Sequence, residues 1–164
     1  MPSSQGLAGV VSGTSAISTV GINGVGLHYR GFEITDLAAH AQFEETAYLL
    51  IFGELPTQKQ LELFTNNLIK SRALDDKLKQ DLELIPATAH PMDVLRHTVS
   101  MQGCLTPEHT PSQQEQSIAT HLIGMLPGAL LYWHHYQQSG QRIETESDFP
   151  ARATSALTPQ PPMC

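Results

Sequence analysis

Cysteine, basic residues and long apolar runs are scarce in this chain of 164 residues. Its two cysteines, Cys104 and Cys164, are too few for a disulfide scaffold, so a reducing cytoplasm is the expected location. Nine Lys and Arg against 16 Asp and Glu give a net charge of −7, which argues against nucleic acid and anionic membranes as partners. The longest apolar run, residues 126–133, is interrupted by Pro127 and Gly128 and falls well short of the ~20 residues that span a bilayer. No basic stretch leads into an apolar one near residue 1, so no secretory signal is expected.

The remaining composition is that of one small globular domain followed by a loose tail. Hydrophobic residues make up 40% of the chain and charged residues 15%, which is not a signature of disorder. Residues 149–164 contain Pro150, Pro159, Pro161 and Pro162, no acidic residue and little apolar periodicity. We therefore expect one domain over residues 1–148 and a disordered tail over residues 149–164.

Two short β-prone runs near the start of the chain predict a hairpin. Residues 16–20 and 27–30 are joined by a glycine-rich loop, in which Asn23 and Gly24 tolerate the positive φ angles of a tight reversal. From Thr35 onward the apolar period becomes helical. The predicted fold class is all-α with this small amino-terminal β-hairpin.

Three helices are predicted between residues 43 and 85. The first covers residues 43–52 and has Gly53 as its C′ residue. The second begins after Thr57, whose spacing to Gln60 is that of a capping box, and the third covers residues 75–85. Apolar side chains that recur at helical spacing predict the buried faces: Phe43, Ala47, Leu50 and Ile51; Leu61, Phe64, Leu68 and Ile69; Leu78, Leu82 and Ile85.

Two further helices are predicted in the second half of the chain. One starts at residues 90–91, and its predicted buried face consists of Met92, Leu95, Val99 and Gln102. The other follows Ser112, which has capping-box spacing to Glu115, and ends at Gly140. Pro127 should kink this helix, because it removes a backbone hydrogen bond. The predicted apolar face of the last helix is Ile118, Leu122, Met125, Leu126, Ala129, Leu130 and Trp133.

The motifs that could carry chemistry each have a simpler structural interpretation. Residues 9–13 have one residue too many between glycine and serine for a nucleophile elbow, and the glycines of residues 21–26 do not match a dinucleotide fingerprint. The adjacent pair His134–His135 points to two sides of a helix. Cys104 and His109 lack the further ligands that a zinc site needs. We therefore predict that the two glycine motifs form a loop and a turn and that His134 and His135 lie on a helix surface. Cys104 is predicted to be a free cysteine in the core, beside the loop histidine His109, and no metal site is expected.

The remaining titratable residues do not assemble a catalytic group either. His90 and His97 lie seven positions apart on one predicted helix, where a packing role is favoured over catalysis. The carboxylate pairs Glu44–Glu45 and Asp75–Asp76 stand at helix starts, where the helix dipole stabilises negative charge. No nucleophile, base and orienting group come together, so no catalytic residue is assigned and the substrate-binding residues are unknown.

Several blocks of sequence follow one another in the order found in a known family. They are residues 16–21 (Ala-Ile-Ser-Thr-Val-Gly), 27–34 (Leu-His-Tyr-Arg-Gly-Phe-Glu-Ile), 43–50 (Phe-Glu-Glu-Thr-Ala-Tyr-Leu-Leu), 53–57 (Gly-Glu-Leu-Pro-Thr) and 90–96 (His-Pro-Met-Asp-Val-Leu-Arg). Together they resemble the amino-terminal part of the bacterial-type citrate synthases. Residues 130–136 and 139–144 are more similar to the 2-methylcitrate synthase branch of that family. The resemblance covers about residues 7–148.

The resemblance implies a mostly helical, dimeric acyltransferase. Such an enzyme joins propionyl-CoA or acetyl-CoA to the ketone of oxaloacetate and hydrolyses the thioester, with acyl-CoA as a substrate and no separate cofactor. In the family an Asp removes the acyl α-proton, one His supports the enol and a second His polarises the ketone. This set follows the general need for a base and for donors where negative charge develops.

The catalytic part of the resemblance cannot be carried over to this chain. It contains neither a His-Gly-x-Ala-Asn string nor a Gly-His-Arg string. Arg72 and Arg96 could meet a CoA phosphate, but surface solubility is the favoured interpretation. We therefore expect an amino-terminal fragment of a synthase that is inactive by itself, with a frameshift or early stop as one explanation of residues 149–164. Two alternatives stay open: a non-enzymatic helical module that pairs with an intact synthase subunit through an apolar helix face such as residues 122–133, and an unstable gene remnant.

Overall fold

The computed structural model of the chain describes residues 13–20 and 26–143, which belong to two compact units. The first unit extends to Gln42 and the second begins at Phe43. The predicted Asn23–Gly24 turn and the predicted tail over residues 149–164 lie outside the described residues.

A small antiparallel sheet forms the first described part of unit one. Strand β1 (Ser18–Thr19) pairs with β2 (His28–Tyr29), which confirms the predicted hairpin. Strand β2 also pairs with β3 (Phe32–Glu33) through a turn in which Arg30 and Gly31 have φ values of 49° and 90°. Two consecutive residues with positive φ are the usual connection in a tight hairpin. This third strand was not predicted.

Helices account for most of the remaining described residues. Helix α1 (Ile34–His40) follows the sheet in the first unit, and the second unit contains α2 (Phe43–Phe52), α3 (Gln58–Lys70), α4 (Asp76–Glu83), α5 (Pro91–Leu105) and α6 (Pro111–Ser139). The mostly helical fold with a small sheet is confirmed. Helix α6 continues through Pro127, and the kink predicted there stays a prediction.

Local capping chemistry explains where most of these helices begin and end. Gly53 and Gly140 have φ values of 92° and 67° after α2 and α6, as predicted for residues that end helices. The predicted capping box at α3 is present: the Thr57 side chain accepts from the backbone N–H of Gln60, and the Gln60 side chain accepts from the backbone N–H of Thr57. Asp75 caps α4 by accepting from a backbone N–H at 2.8 Å.

The capping box predicted at the start of α6 is wrong. The helix begins one residue earlier than Ser112, and its N-cap Thr110 makes no side-chain capping bond. Instead, Oε1 of Gln114 accepts the backbone N–H groups of His109 and Thr110 at 2.8 and 2.9 Å. A side-chain amide of the first turn therefore binds the two residues that precede the helix.

Two apolar clusters form the core of the second unit. The larger joins α4, α5 and α6 through Leu74, Leu78, Leu82, Val94, Met125, Ala129, Tyr132 and Trp133. The smaller joins α2 and α3 through Ala47, Tyr48, Phe64 and Leu68, against which Ile123 of α6 packs. The predicted faces of α3 and α4 are thus confirmed at their centres, whereas the prediction for α2 is partly wrong because Phe43 is exposed and Tyr48 and Leu49 are buried.

The buried face predicted for α5 is wrong. Met92 is 63% exposed and Val99 is 40% exposed, with Leu95 half-buried between them. The side of α5 that packs into the core presents Val94 and Thr98. The apolar stripe Met92–Leu95–Val99, which we call the α5 stripe, therefore faces away from the core of its own chain.

The apolar stripe predicted on α6 is buried against other residues of the same chain. Met125, Ala129 and Trp133 are fully or almost fully buried, and Leu122, Leu126 and Leu130 are partly buried against the same cluster. This stripe is therefore not the unpartnered face that the pairing alternative assumed. Within the described residues, no helix combines the length and apolar character needed to cross a bilayer.

Candidate functional site

A groove of about 540 Å³ runs along α3, the first turns of α6 and the end of α2. Its apolar wall consists of Tyr48 and Phe52 from α2 and Leu63 and Phe64 from α3. The rings of Tyr48 and Phe52 stack with centroids 4.3 Å apart, and Phe64 meets Tyr48 edge-on at 5.5 Å. Such a wall presents flat aromatic surface to whatever enters the groove.

The other side of the groove is lined by polar side chains. Asn67 and Lys70 of α3 and Gln113, Gln116 and His121 of α6 contribute amide, ammonium and imidazole groups. None of the described residues that line the groove is acidic. This local absence of carboxylates contrasts with the net charge of −7 on the whole chain.

The groove follows from how closely α3 and α6 approach each other at one end. A Cβ atom built on Gly124 would lie 2.6 Å from the carbonyl oxygen of Leu68 and 2.8 Å from Cβ of Ser71. Only glycine fits such a contact. The helices therefore touch near Gly124 and leave space beside the earlier turns of α6.

A second polar cluster ties the end of α4 to the end of α6. Oε1 of Glu83 accepts from the Tyr132 hydroxyl at 2.6 Å and forms an ion pair with Nε of Arg142 at 2.8 Å, and Oε2 accepts from Nη2 of Arg142 at 3.0 Å. The Gln137 amide donates to the backbone carbonyl of Glu83 at 3.2 Å. Close by, the Trp133 indole donates to the carbonyl of Ile85 at 3.1 Å. These bonds hold the chain in place just beyond Gly140.

Charges in this cluster reinforce one another. Hydrogen bonds from Arg142 and then from Tyr132 lower the pKa of Glu83 below its ordinary value of 4.5. Burial, together with the hydrogen bond to Glu83, raises the pKa of Tyr132 well above its ordinary value of 10.0. The hydrogen bond to Glu83 also raises the pKa of Arg142. The cluster is thus an ionised carboxylate that is stabilised by a guanidinium and a neutral phenol. Its role is structural, since it connects the end of α4 to the end of α6.

The histidines and the cysteine considered from the sequence lie apart from the groove. His134 is exposed and His135 is half-buried on α6. Cys104 is exposed as well, so its predicted place in the core is wrong. His90 caps α5, since its Nδ1 accepts the N–H of Met92 at 3.2 Å. His97 contacts the Asp81 carboxylate at 2.5 Å and so links α5 to α4. The structural interpretation of both His90 and His97 agrees with this geometry.

The charged candidates also take structural positions. Glu44 is buried in the first turn of α2, and Asp75 caps α4. Arg72 is buried, so its interpretation as a surface residue is wrong, whereas Arg96 is exposed and pairs with Asp93 at 3.0 Å. Among the residues of ranges 13–20 and 26–143, no three His, Cys, Asp or Glu side chains lie close enough to hold a metal ion together.

The Glu83 cluster and the groove were both missed by reading the sequence. Tyr132 and Arg142 lie 49 and 59 residues from Glu83, so no local pattern connects them. One signal was available: an acidic residue in the last turn of a helix opposes the helix dipole, which favours a specific cationic partner nearby.

Comparisons with known proteins identify the fold and the family. The family model described as "Citrate synthase, C-terminal domain" matches residues 6–162. The 2-methylcitrate synthase of Shewanella oneidensis is 49% identical over 143 residues, which cover 87% of this chain and 38% of that protein. The 2-methylcitrate synthase of Mycobacterium tuberculosis is 40% identical over 123 residues, which cover 75% of this chain and 31% of that protein.

Solved structures show the same relationship in three dimensions. The crystal structure of citrate synthase from Thermotoga maritima superposes with a TM-score of 0.75 at 32% identity, covering 89% of this chain and 38% of that one. The citrate synthase from Pyrobaculum aerophilum gives a TM-score of 0.71 at 25% identity, covering 91% and 40% of the two chains. The chain thus spans about two-fifths or less of the length of these relatives. The domain boundary expected at residue 148 stays a prediction. The family model and the relatives show that the chain belongs to the citrate synthase family.

Proposed function

We propose that the chain is part of an acyl-CoA condensing enzyme of the 2-methylcitrate or citrate synthase type. In that reaction the α-carbon of propionyl-CoA or acetyl-CoA attacks the ketone of oxaloacetate, and water then hydrolyses the thioester. The observation that carries the proposal is the 49% identity, over 87% of the chain, to a protein named 2-methylcitrate synthase. A cytoplasmic location and the absence of a separate cofactor stay predictions.

We infer further that these 164 residues do not catalyse the condensation by themselves. Removal of an acyl α-proton needs a base and donors that converge on one point. The groove offers no carboxylate among its described lining residues, and the carboxylate of Glu83 is already engaged by Arg142 and Tyr132. The His-Gly-x-Ala-Asn and Gly-His-Arg strings expected from the family are also absent from the sequence.

Thiol release tests this inference directly. The chain is mixed with oxaloacetate and either propionyl-CoA or acetyl-CoA, and free CoA is followed with a thiol reagent. We expect a rate equal to the rate without protein, while a full-length 2-methylcitrate synthase assayed in parallel turns over. Because the thiols of Cys104 and Cys164 can themselves react with the reagent, a variant with both Cys104→Ser and Cys164→Ser serves as the control. Release above background that requires oxaloacetate would overturn the inference of inactivity.

The α5 stripe favours a role for the chain in pairing. Met92 and Val99 lie seven positions apart on one face of α5, are 63% and 40% exposed, and have the half-buried Leu95 between them. Exposed apolar side chains grouped in this way typically mark a protein interface. The stripe supports the proposal that α5 meets a second copy of this chain, as expected for a dimeric family. Pairing with an intact synthase subunit through the same stripe is the alternative.

Light scattering after size exclusion measures this association. The unchanged chain should elute as a dimer, and Met92→Gln combined with Val99→Gln should shift it to the monomer. Leu63→Gln, an equally exposed leucine of α3, is the matched control and should leave the dimer intact. A monomer that forms no complex with itself or with an added full-length synthase would contradict both forms of the proposal.

A further inference from the structure

We propose that the groove between α3 and α6 binds a small organic anion with a planar aromatic body. This site is separate from the Glu83 cluster and from the α5 stripe, and it does not depend on the condensation reaction. The volume of about 540 Å³ falls within the range of roughly 300 to 1,000 Å³ that is usual for small-molecule sites.

The aromatic wall supplies the surface for a planar body. Phe52 stacks on Tyr48 but keeps 36% of its surface exposed, and Leu63 beside it is 63% exposed. Apolar surface of this kind gains free energy when a flat apolar ligand removes it from water. The groove is therefore able to hold an aromatic ring system against Phe52 and Leu63.

The polar side of the groove selects for negative charge. Lys70 and His121 are the cationic or potentially cationic groups of the lining, and no acidic side chain accompanies them among the described lining residues. The side chains of Asn67, Lys70 and His121 make no hydrogen bond or ion pair with another described residue, so their donors are available to a ligand. The chain as a whole has more acidic than basic residues, with a net charge of −7, and such an excess disfavours anion binding at most other places on its surface. Charge complementarity thus favours an anion at this place.

Two dyes that share one aromatic body separate the contributions of charge and apolar surface. The anionic probe is 1-anilinonaphthalene-8-sulfonate, and the neutral probe is N-phenyl-1-naphthylamine, which lacks the sulfonate. Fluorescence titration should show that Lys70→Gln weakens binding of the anionic dye about threefold and leaves the neutral dye unchanged, in keeping with a single exposed charge pair. Lys70→Arg should keep the affinity, and Lys77→Gln, which removes an exposed charge from α4, should change neither dye.

Two substitutions of exposed apolar residues, one inside the groove and one outside it, test the apolar half of the site. Leu63→Gln should weaken both dyes, whereas Met92→Gln, which changes the α5 stripe, should weaken neither. Equal effects of Lys70→Gln and Lys77→Gln would overturn the proposal. A larger loss from Met92→Gln than from Leu63→Gln would also overturn it, because the dye would then occupy α5.

Discussion

Replacing Gly124 by alanine is expected to destabilise the chain by about 2 to 3 kcal/mol. In the interior of a helix the same change ordinarily stabilises by about 1 kcal/mol, because glycine has the greater backbone freedom to lose. Here the added methyl would lie 2.6 Å from the Leu68 carbonyl oxygen and 2.8 Å from Cβ of Ser71. The nearer atom belongs to the backbone of α3, which cannot turn aside as a flexible side chain could.

Gly103 provides the matched control for this experiment. It also lies inside a helix, α5, and a Cβ atom built on it meets nothing within 4 Å. Gly103→Ala should therefore stabilise the chain by about 0.5 to 1 kcal/mol. The two substitutions are chemically identical and differ in the space around the new methyl.

Urea denaturation followed by circular dichroism gives the free energy of unfolding for both variants. The expected result is a change of opposite sign at the two positions. If Gly124→Ala were neutral or stabilising, the close contact between α3 and α6 would not exist in solution. The groove, which depends on that contact, would then need another explanation.

The beginnings and ends of helices could be predicted because their chemistry is local. Thr57 and Gln60 lie three residues apart and satisfy each other's backbone, and Gly53 and Gly140 provide the positive φ that ends a helix. Helices α3, α4 and α5 start within one residue of the predicted positions, and each has a side-chain cap at that end. The error at Ser112 arose because the helix begins at Pro111, where Gln114 accepts the backbone N–H groups of His109 and Thr110 in front of the helix.

The buried side of a helix could not be predicted where two sides are equally periodic. On α5 the stripe of Met92, Leu95 and Val99 is more apolar than the side that contains Val94 and Thr98, yet the second side is buried. The hydroxyl of Thr98 is buried without penalty because it donates to the carbonyl oxygen of Val94 at 2.7 Å. Periodicity identifies the helix, but the choice of side depends on partners that are distant in sequence.

Glu83→Gln is expected to lower the free energy of unfolding by about 2 kcal/mol near neutral pH. The Glu83 side chain is only 14% exposed, and its carboxylate forms an ion pair with Arg142 and accepts one hydrogen bond from Arg142 and one from Tyr132. Glutamine keeps the shape and one acceptor for the Tyr132 hydroxyl, but it turns an NH₂ group toward the guanidinium and removes the charge. Because Arg142 is 49% exposed, water compensates part of the loss, which keeps the effect moderate.

The loss of stability in Glu83→Gln should depend on pH, because only the ionised carboxylate of Glu83 pairs with Arg142. The pKa of Glu83 is lowered in the folded chain, so its contribution is fully present above its ordinary value of 4.5 and disappears as the pH falls through the lower folded value. The unchanged chain and Glu83→Gln should therefore differ at pH 7 and converge below pH 4.5. Glu108→Gln, an exposed carboxylate outside the cluster, should not differ from the unchanged chain at neutral pH.

The raised pKa of Tyr132 predicts that the stability of the chain also depends on pH in the alkaline range. Its pKa is raised in the folded chain, so the neutral phenol stabilises the fold up to its ordinary value of 10.0, and stability falls as the pH rises beyond it. Tyr132→Phe cannot ionise and should show a shallower decline above pH 10 than the unchanged chain. A difference in stability between Glu83→Gln and the unchanged chain that persisted well below pH 4.5 would mean that the negative charge of Glu83 is not its cause. In that case the ionised carboxylate would not be what fixes the end of α6 against α4.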